Sequence, residues 1–243
     1  MPARLFVDLP LTAAGQVLDL PPGPTRHAQV LRLQPGDAIT LFDGRGDGAL
    51  AGEWTAEVTQ MGRSVVQVVL RQFTPLDREL PTAVTLAVVM PANDRMDFLV
   101  EKATELGAAA LQPLVGERSV LRLIGERADK KVAHWQGVAQ AAAEQCGRTR
   151  VPMLHPVRPL NSWLAAPLAG HRWVASPGAA AVRAPSERPA QLTLLTGPEG
   201  GLSPAELAAA VAAGFEPVGL GPRILRADTA PLSLLAWIGL GWG

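Results

Sequence analysis

Two glycine-containing turns near the carboxyl terminus have the composition of a ligand-binding surface. Residues 196–201 read Thr-Gly-Pro-Glu-Gly-Gly and residues 220–226 read Leu-Gly-Pro-Arg-Ile-Leu-Arg. Each turn follows a short apolar stretch and precedes a segment with a helical pattern. Because glycine has no Cβ, backbone N–H groups in such turns can approach a ligand closely. The two turns therefore predict a site that holds a ligand mainly by backbone contacts.

The turns do not match the phosphate-binding motifs of nucleotide enzymes. The first has neither the Gly-x-Gly-x-x-Gly spacing nor the Gly-Lys-Ser/Thr of a P-loop, so a pyrophosphate or triphosphate ligand is not indicated. The alternative interpretation of the first turn is an ordinary connection between a strand and a helix. In the second turn, the alternative is that the Asp228 carboxylate only stabilises the start of a helix. Two such turns at neighbouring strand ends favour a cofactor site, where ligands of parallel sheets bind.

The chain has few groups arranged for acid–base or covalent chemistry. Its four histidines are scattered, and no His, Cys or carboxylate spacing predicts a metal site. No Gly-x-Ser-x-Gly elbow or Cys–His pair is present. This pattern fits the transfer of a group from an activated cofactor. In such reactions, correct placement of the two reactants accounts for most of the catalysis.

A basic stretch stands out in a chain whose formal net charge is zero. Residues 117–150 contain seven basic and four acidic side chains, with His134 and Trp135 among them. Arginine-rich patches contact phosphates and stack on exposed bases, which favours RNA. A helix with a solvated polar face is the alternative. Arg26, His27 and Arg32 form a smaller cluster.

The elements that must position these residues change character along the chain. Residues 1–73 contain short alternating strands typical of a small β-barrel, and the proline-bracketed residues 74–81 form a linker. Over residues 82–243, strands and helices alternate, which predicts an α/β domain with a parallel sheet. The predicted strands are 83–90, 109–115, 172–175, 192–195 and 217–220, and the predicted helices are 93 or 94 to 107, 126–146, 203–214 and 228 onward.

The cysteine content and the apolar segments near the two termini indicate the cellular compartment. The single cysteine, Cys146, suits a reducing compartment. The amino terminus lacks the apolar run of a secretory signal, and the apolar residues 230–242 fall short of the roughly 20 that a spanning helix needs. A cytoplasmic protein without a membrane partner is expected.

Six ordered segments together resemble the ribosomal RNA small subunit methyltransferase E family, SPOUT-class enzymes that methylate N3 of a uridine in 16S rRNA. They follow the family order over nearly the whole chain. The segments are Arg26-His27 to Gly36-Asp37, residues 94–107, Pro113 to Ser119, Glu144 to Pro152, Gly197 to Glu206, and Leu220 to Ala230.

The resemblance implies a SPOUT-type parallel sheet with a carboxyl-terminal trefoil knot, preceded by a PUA-like β-barrel. It also implies S-adenosylmethionine as the methyl donor, 16S rRNA or the small ribosomal subunit as a partner, and a homodimer with sites built across the interface. The apolar last helix, with Trp237 and Trp242, is the expected dimer surface.

The same resemblance implies site residues. Expected at the cofactor are Ser176, Thr196, Gly197, Glu199, Gly200, Gly201, Leu220, Gly221, Ile224, Leu225, Arg226 and Ala230. Expected at RNA are Arg26, His27, Arg32, Arg95, Arg118, Gln145 and Arg148. Arg226, Arg148 and Glu144 are the expected catalytic residues. The acceptor of the N3 proton stays open among Glu144, Glu199 and Asp228.

Two positions depart from the family pattern. Asp228 stands where the family usually has Glu, and residues 91–94 lack the lysine common in that loop, which leaves Arg95 as the nearby cation.

Alternative functions are a SPOUT enzyme acting on another RNA or atom, a non-catalytic RNA-binding scaffold, and a nucleotide-dependent α/β enzyme. The missing phosphate loop disfavours the last of these.

Overall fold

The computed structural model describes residues 2–46, 51–92 and 95–242, and it divides into two compact units. Unit 1 comprises Met1–Glu79 and Ala143–Val151, and unit 2 comprises Leu80–Ala142 and Pro152–Gly243. The sequence had suggested boundaries at residues 73 and 82. The structure adds the segment 143–151, which includes the last turn of a long helix, to the first unit.

Unit 1 is built on a mixed sheet. Its described strands pair in the order β1-β3-β4-β5-β2, with β1 and β3 parallel and the other pairs antiparallel. The elements are β1 (Ala3–Phe6), β2 (Val17–Asp19), α1 (Pro22–Val30), β3 (Ala38–Phe42), β4 (Gly52–Met61) and β5 (Val66–Pro75). Alternating side chains such as Ile39, Val58 and Val68 form its buried core.

Three arginines hold the segment 143–151 within unit 1. Arg4 donates to the carbonyl oxygens of Ala143 (2.9 Å) and Arg148 (2.6 Å), and it pairs with Glu53. Arg78 donates to the carbonyl of Gly147, and Arg148 is buried in a salt bridge with Glu79. Carbonyls at the end of a helix lack partners inside the helix, so arginine donors stabilise this end.

Unit 2 contains a parallel sheet. Its described strands follow the order β12-β10-β11-β6-β7-β8, and β9 also pairs with β7. They are β6 (Ala83–Val89), β7 (Ala110–Val115), β8 (Met153–Leu154), β9 (Arg158–Pro159), β10 (His171–Ala175), β11 (Gln191–Thr196) and β12 (Glu216–Val218). The central strands β6 and β11 are almost wholly buried, as expected for strands covered on both faces.

Helices cover the parallel sheet. They are α2 (Arg95–Glu105), α3 (Glu126–Cys146), α4 (Leu160–Leu164), α5 (Pro204–Ala212) and α6 (Thr229–Trp242), and the last turn of α3 belongs to unit 1. Trp163 of α4, Ala210 of α5 and Phe215 form one core cluster with side chains of β6, β10 and β11. Trp173 of β10 instead packs against Trp237 of α6, with ring centroids 6.0 Å apart.

Most predicted elements of unit 2 occur where the pattern placed them. The parallel α/β sheet is confirmed, and α3 and the start of β6 match the prediction residue for residue. The predicted cap of α2 at Asn93 or Asp94, and the side chain of Trp242, lie outside the described residues. The trefoil knot stays a prediction. In the described part of the chain, no helix has the length and apolar character to cross a membrane.

Candidate active site

Both glycine turns line one cleft at the carboxyl ends of strands β10, β11 and β12. Its cavity volume is about 420 Å³, within the range of roughly 300–1,000 Å³ typical of small-molecule sites. All twelve residues predicted at the cofactor line this cleft. Its apolar wall includes Leu202, Leu207 and Val218, which were not among the predicted site residues. The structure therefore brings the two turns together, as their positions after parallel strands predicted.

The first turn leaves strand β11 and folds tightly on itself. The N–H of Gly201 donates to the carbonyl of Pro198 (2.8 Å), and Gly201 has a φ of 67°. A Cβ on Gly197 would lie 2.8 Å from the backbone nitrogen of Leu202 and 2.9 Å from the carbonyl carbon of Gly201. The turn therefore requires glycine at residue 197 for space and favours it at residue 201 for conformation.

The last strand is tied to the loop that follows β10. Ser176 donates its N–H to the carbonyl of Val218 (3.0 Å), and Gly219 exchanges backbone hydrogen bonds with Ala180 (2.7 Å) and Val182 (2.9 Å). A Cβ on Gly219 would collide with the carbonyl of Ala179. The loop carrying Ser176 and the turn beginning at Leu220 thus form one paired structure beside the cleft.

Thr196, at the end of β11, lines the cleft and has a buried hydroxyl group. Thr196 is 2% exposed, and among the described residues its Oγ1 makes no hydrogen bond. A buried hydroxyl without a hydrogen-bond partner lowers the stability of the fold by about 1–3 kcal/mol. A ligand that formed a hydrogen bond with it would remove this penalty. A glycine-lined cleft without a phosphate loop fits a nucleoside-type cofactor without a polyphosphate.

Glu206 locks the helix behind the first turn to the end of strand β7. Ser203 and Glu206 form the predicted capping box of α5, with Pro204 at the helix start. The Glu206 carboxylate accepts from the backbone N–H of Ser203 (2.8 Å) and also of Glu117 (2.7 Å). The sequence pattern predicted the first bond. It gave no sign of the second, because Glu117 lies 89 positions away.

Replacement of Glu206 by alanine should destabilise the protein by about 3–5 kcal/mol. The change leaves the buried N–H of Ser203 and the partly buried N–H of Glu117 without their charged acceptor, and each such loss costs about 1.5–3 kcal/mol. Urea denaturation would measure it. The matched control is Glu126→Ala, which removes a carboxylate that is 80% exposed and should change stability by less than about 0.5 kcal/mol. An equal change in the free energy of unfolding in the two variants would contradict this role of Glu206.

Charged groups lie around the cleft. Among its described lining residues, three are arginines, Arg118, Arg223 and Arg226, and one is a carboxylate, Glu199. Arg226 is exposed, and no hydrogen bond or ion pair of its guanidinium occurs within the described chain. Asp228 is half-buried and its carboxylate contacts the Thr229 hydroxyl at 3.2 Å. This excess of positive charge suits an anionic second substrate.

Arg95, at the start of α2, lies in unit 2, and the remaining predicted site residues lie in unit 1. Arg26 and His27 are exposed on α1, and His27 Nδ1 lies 3.6 Å from a Glu144 oxygen. Glu144 also accepts the N–H of Phe6 (2.9 Å), and Gln145 is exposed. Arg148 is only 4% exposed, and its salt bridge with Glu79 gives it a structural role. The catalytic roles suggested for Glu144 and Arg148 stay predictions.

Arg32 has an unusual backbone conformation for a residue with a side chain. It follows α1 with a φ of 55°, a left-handed position that helix ends usually give to glycine. Glycine there should raise the free energy of unfolding by up to about 1 kcal/mol, because the strain is relieved. The same change should weaken RNA binding, since an exposed cation is lost.

Thermal unfolding and RNA titration of Arg32→Gly and Arg63→Gly would separate the two effects. Arg63 is also an exposed arginine of unit 1, and it is not among the residues predicted to bind RNA. A gain in stability without any loss of RNA affinity would remove Arg32 from the RNA surface.

Helices α2 and α3 are joined in unit 2 through Asp97. Its carboxylate accepts from the Trp135 indole (2.9 Å) and lies 2.7 Å from His134 Nε2. Partial burial raises the pKa of Asp97, but the hydrogen bonds from His134 and Trp135 outweigh it and hold the pKa below its usual value. On α2, Lys102 forms ion pairs with Glu101 and Glu105, as expected for a polar helix face that is exposed to solvent. His134 and Trp135 therefore have a structural partner on α2.

No metal centre is evident in this geometry. Within residues 2–46, 51–92 and 95–242, no group of three or more His, Cys, Asp or Glu side chains could hold a metal ion. A second cleft, of about 410 Å³, lies on the sheet of unit 2 among Thr85, His155 and Arg158. It includes neither glycine turn, so the first cleft is the candidate active site.

Comparison with known proteins defines a class for this combination of fold and cleft. Residues 78–239 match the RNA methyltransferase domain family, and residues 25–71 match the RNA methyltransferase PUA domain family. The class is thus an RNA methyltransferase domain preceded by a PUA domain.

Individual relatives narrow the class to one family. A ribosomal RNA small subunit methyltransferase E from Synechocystis is 37% identical over 86% of this chain and 68% of its own length. The crystal structure of such an enzyme from Neisseria gonorrhoeae, bound to S-adenosylmethionine, is 36% identical with a TM-score of 0.89, covering 100% of this chain and 99% of that one. A Legionella pneumophila methyltransferase structure, also with S-adenosylmethionine, is 30% identical with a TM-score of 0.91 over 99% and 98% of the two chains. The chain belongs to the ribosomal RNA small subunit methyltransferase E family.

Proposed function

We propose that this protein transfers a methyl group from S-adenosylmethionine to N3 of a uridine in 16S rRNA. The observation that carries the proposal is the convergence of both glycine turns on one cleft. Family membership supports it, as does the Neisseria gonorrhoeae relative, which is bound to S-adenosylmethionine and matches the full length of this chain.

The residues around the cleft have the properties that this cofactor requires. Backbone groups of residues 196–201 and 220–225 would hold it, Ser176 and Ala230 would flank it, and the Thr196 hydroxyl offers a buried hydrogen-bond partner. When bound, the cofactor supplies an electrophilic methyl group on a sulfonium. Glycines at the turns leave space in the cleft, and a bound cofactor would cover its apolar wall.

The proposed chemistry on the RNA side requires a uridine out of its stack, because N3 carries a proton and takes part in pairing. Loss of that proton places negative charge on O2 and O4 of the base. Arg226, exposed at the cleft, is proposed to stabilise this anion, with Arg148 as the alternative cation. Glu144, Glu199 and Asp228 are the carboxylates proposed as proton acceptors.

The remaining roles are also proposals. Exposed Arg26, His27, Arg32 and Gln145 of unit 1 would contact 16S rRNA or the small subunit. Arg95 and Arg118 of unit 2 are also proposed to contact RNA. Arg148 is buried and paired with Glu79, so the exposed Arg226 is preferred to it as the anion-stabilising cation. We also propose a cytoplasmic homodimer that uses the apolar α6. The suggested domain boundaries, 1–73, 74–81 and 82–243, belong to the same proposal.

Mass mapping of modified nucleotides in 16S rRNA from a deletion strain tests the function directly. The expected result is the loss of one 3-methyluridine, which returns when the wild-type gene is supplied. Restoration of the modification by the purified protein with S-adenosylmethionine would establish the protein as the enzyme. Loss of a different modified nucleotide, or an unchanged map, would contradict the assigned atom and RNA.

Calorimetric titration with S-adenosylmethionine separates the alternatives. A methyltransferase acting on any RNA should bind it, whereas an RNA-binding scaffold or a nucleotide-dependent enzyme should not. The glycine cleft and the family relationship favour the methyltransferase, because a scaffold gives the two paired turns no role.

A further inference from the structure

The first glycine turn is held from one side through Glu199. Glu199 Oε1 accepts the backbone N–H of Ala92, in the loop after strand β6, at 3.1 Å. The same oxygen lies 3.6 Å from the Arg95 guanidinium at the start of α2. Both side chains are about one third exposed, so the ion pair is partly screened by solvent. The Glu199 carboxylate thus already binds a backbone donor and a cation within its own unit.

Arg118 holds the opposite side of the same turn. Its Nη1 donates to the carbonyl of Gly200 at 2.7 Å and is 3.4 Å from the carbonyl of Leu202. A Cβ on Gly200 would lie 3.4–3.9 Å from the Arg118 stem, so the methylene groups already lie against the turn. Arg118 follows strand β7, whose loop is fixed by the bond from Glu117 to Glu206. The Arg118 guanidinium thus offsets the partial negative charge of two carbonyl oxygens in the turn that lines the cleft.

Three strand ends therefore converge on one turn. The loop after β6 reaches Glu199, the loop after β7 reaches Gly200, and the turn itself follows β11. A backbone-lined site works only if its N–H and C=O groups are held in place before the ligand arrives, since an ordering cost would otherwise reduce affinity. Arg95 and Arg118 are placed to supply this ordering.

We propose that Arg95 and Arg118 are positioning residues that clamp the cofactor turn, and that Glu199 serves this clamp instead of accepting the N3 proton. The inference rests on the proposed function, because it assigns roles around the same cofactor. It leaves the remaining N–H groups of both arginines available to RNA. It also removes Glu199 from the proposed proton acceptors.

The test compares cofactor affinity with turnover in four variants. Calorimetry should show S-adenosylmethionine binding weakened about tenfold in Arg118→Gln, equivalent to about 1.4 kcal/mol, and about threefold in Arg95→Gln and Glu199→Gln, whose pair is partly exposed. With saturating rRNA, the loss should fall mainly on the KM for the cofactor and much less on kcat, and the shape of the pH profile of kcat should not change. Arg118→Lys should recover part of the lost affinity, because it restores one donor.

Arg122→Gln is the matched control. Arg122 donates to the carbonyl of Glu117 instead of the turn, so cofactor affinity should not change. Urea denaturation of each variant separates a loosened turn from general unfolding.

Three outcomes would overturn the clamp. Unchanged cofactor affinity in Arg118→Gln would exclude its role on the turn. A kcat lowered about 100-fold in Glu199→Gln, with normal cofactor affinity and a lost acidic limb of the pH profile, would make Glu199 the proton acceptor. An equal loss of affinity in Arg122→Gln would make the effect nonspecific. Failure of the proposed function is distinguishable, because the wild-type protein itself would then not bind S-adenosylmethionine.

Discussion

Replacement of Arg226 by alanine should lower methyl transfer to rRNA by about 10²–10³-fold and leave the affinity for S-adenosylmethionine within about threefold of wild type. The guanidinium lies at the cleft, and among the described residues it has no ion-pair partner that would use its charge. A cation that faces developing negative charge acts mainly on the transition state, and the loss of one such donor costs this much in other enzymes. Single-turnover assays with saturating cofactor would measure it.

Arg223 supplies the comparison for this effect. It lies in the same turn, is exposed and lines the same cleft. Arg223→Ala should lower the rate less than about fivefold, and Arg226→Lys should retain more activity than Arg226→Ala because it keeps the charge. Near wild-type turnover in Arg226→Ala with the cofactor bound would rule out the anion-stabilising role.

Replacement of Gly197 by alanine should weaken cofactor binding by about 5- to 150-fold. The new Cβ would meet backbone atoms of Leu202 and Gly201 at 2.8–3.1 Å, and backbone cannot rotate away as a side chain can. Overpacking of this kind costs about 1–3 kcal/mol, and the turn that faces the cleft has to move to relieve it. Isothermal titration with S-adenosylmethionine gives the affinity, and circular dichroism confirms the fold.

Gly200 of the same turn is the matched control. Its Cβ would meet only the flexible Arg118 side chain, at 3.4 Å or more, so Gly200→Ala should bind the cofactor within about threefold of wild type. If both alanine variants bound equally well, the geometry of the turn would not govern the site. If both failed to bind, the site would depend on glycine as such and not on space at residue 197.

Much of unit 2 could be predicted because its patterns are local. Strand β6 is apolar except for Thr85, and α3 has a helical periodicity that ends before Gly147. The Ser203–Glu206 capping box marks the start of α5. The parallel order follows from the alternation of strands and helices. The shared cleft followed from the rule that turns after parallel strands lie at one edge of the sheet.

Other features depend on contacts that the sequence does not display. The strands β1, β2, β8 and β9 have two to four residues each, too few for a periodic pattern, and α4 is a single short turn of helix. The Arg148–Glu79 pair joins positions 69 residues apart, and the Glu206–Glu117 bond joins positions 89 apart. The basic stretch 117–150 has one overall charge pattern, which does not indicate that Arg148 pairs with Glu79 and His134 with Asp97.

A crystal structure of the protein with S-adenosylmethionine tests the central claim most directly. The account predicts electron density for the ligand in the cleft, with backbone contacts from residues 196–201 and 220–225 and a hydrogen bond to the Thr196 hydroxyl. Density at another surface, with both turns free of contact, would contradict it.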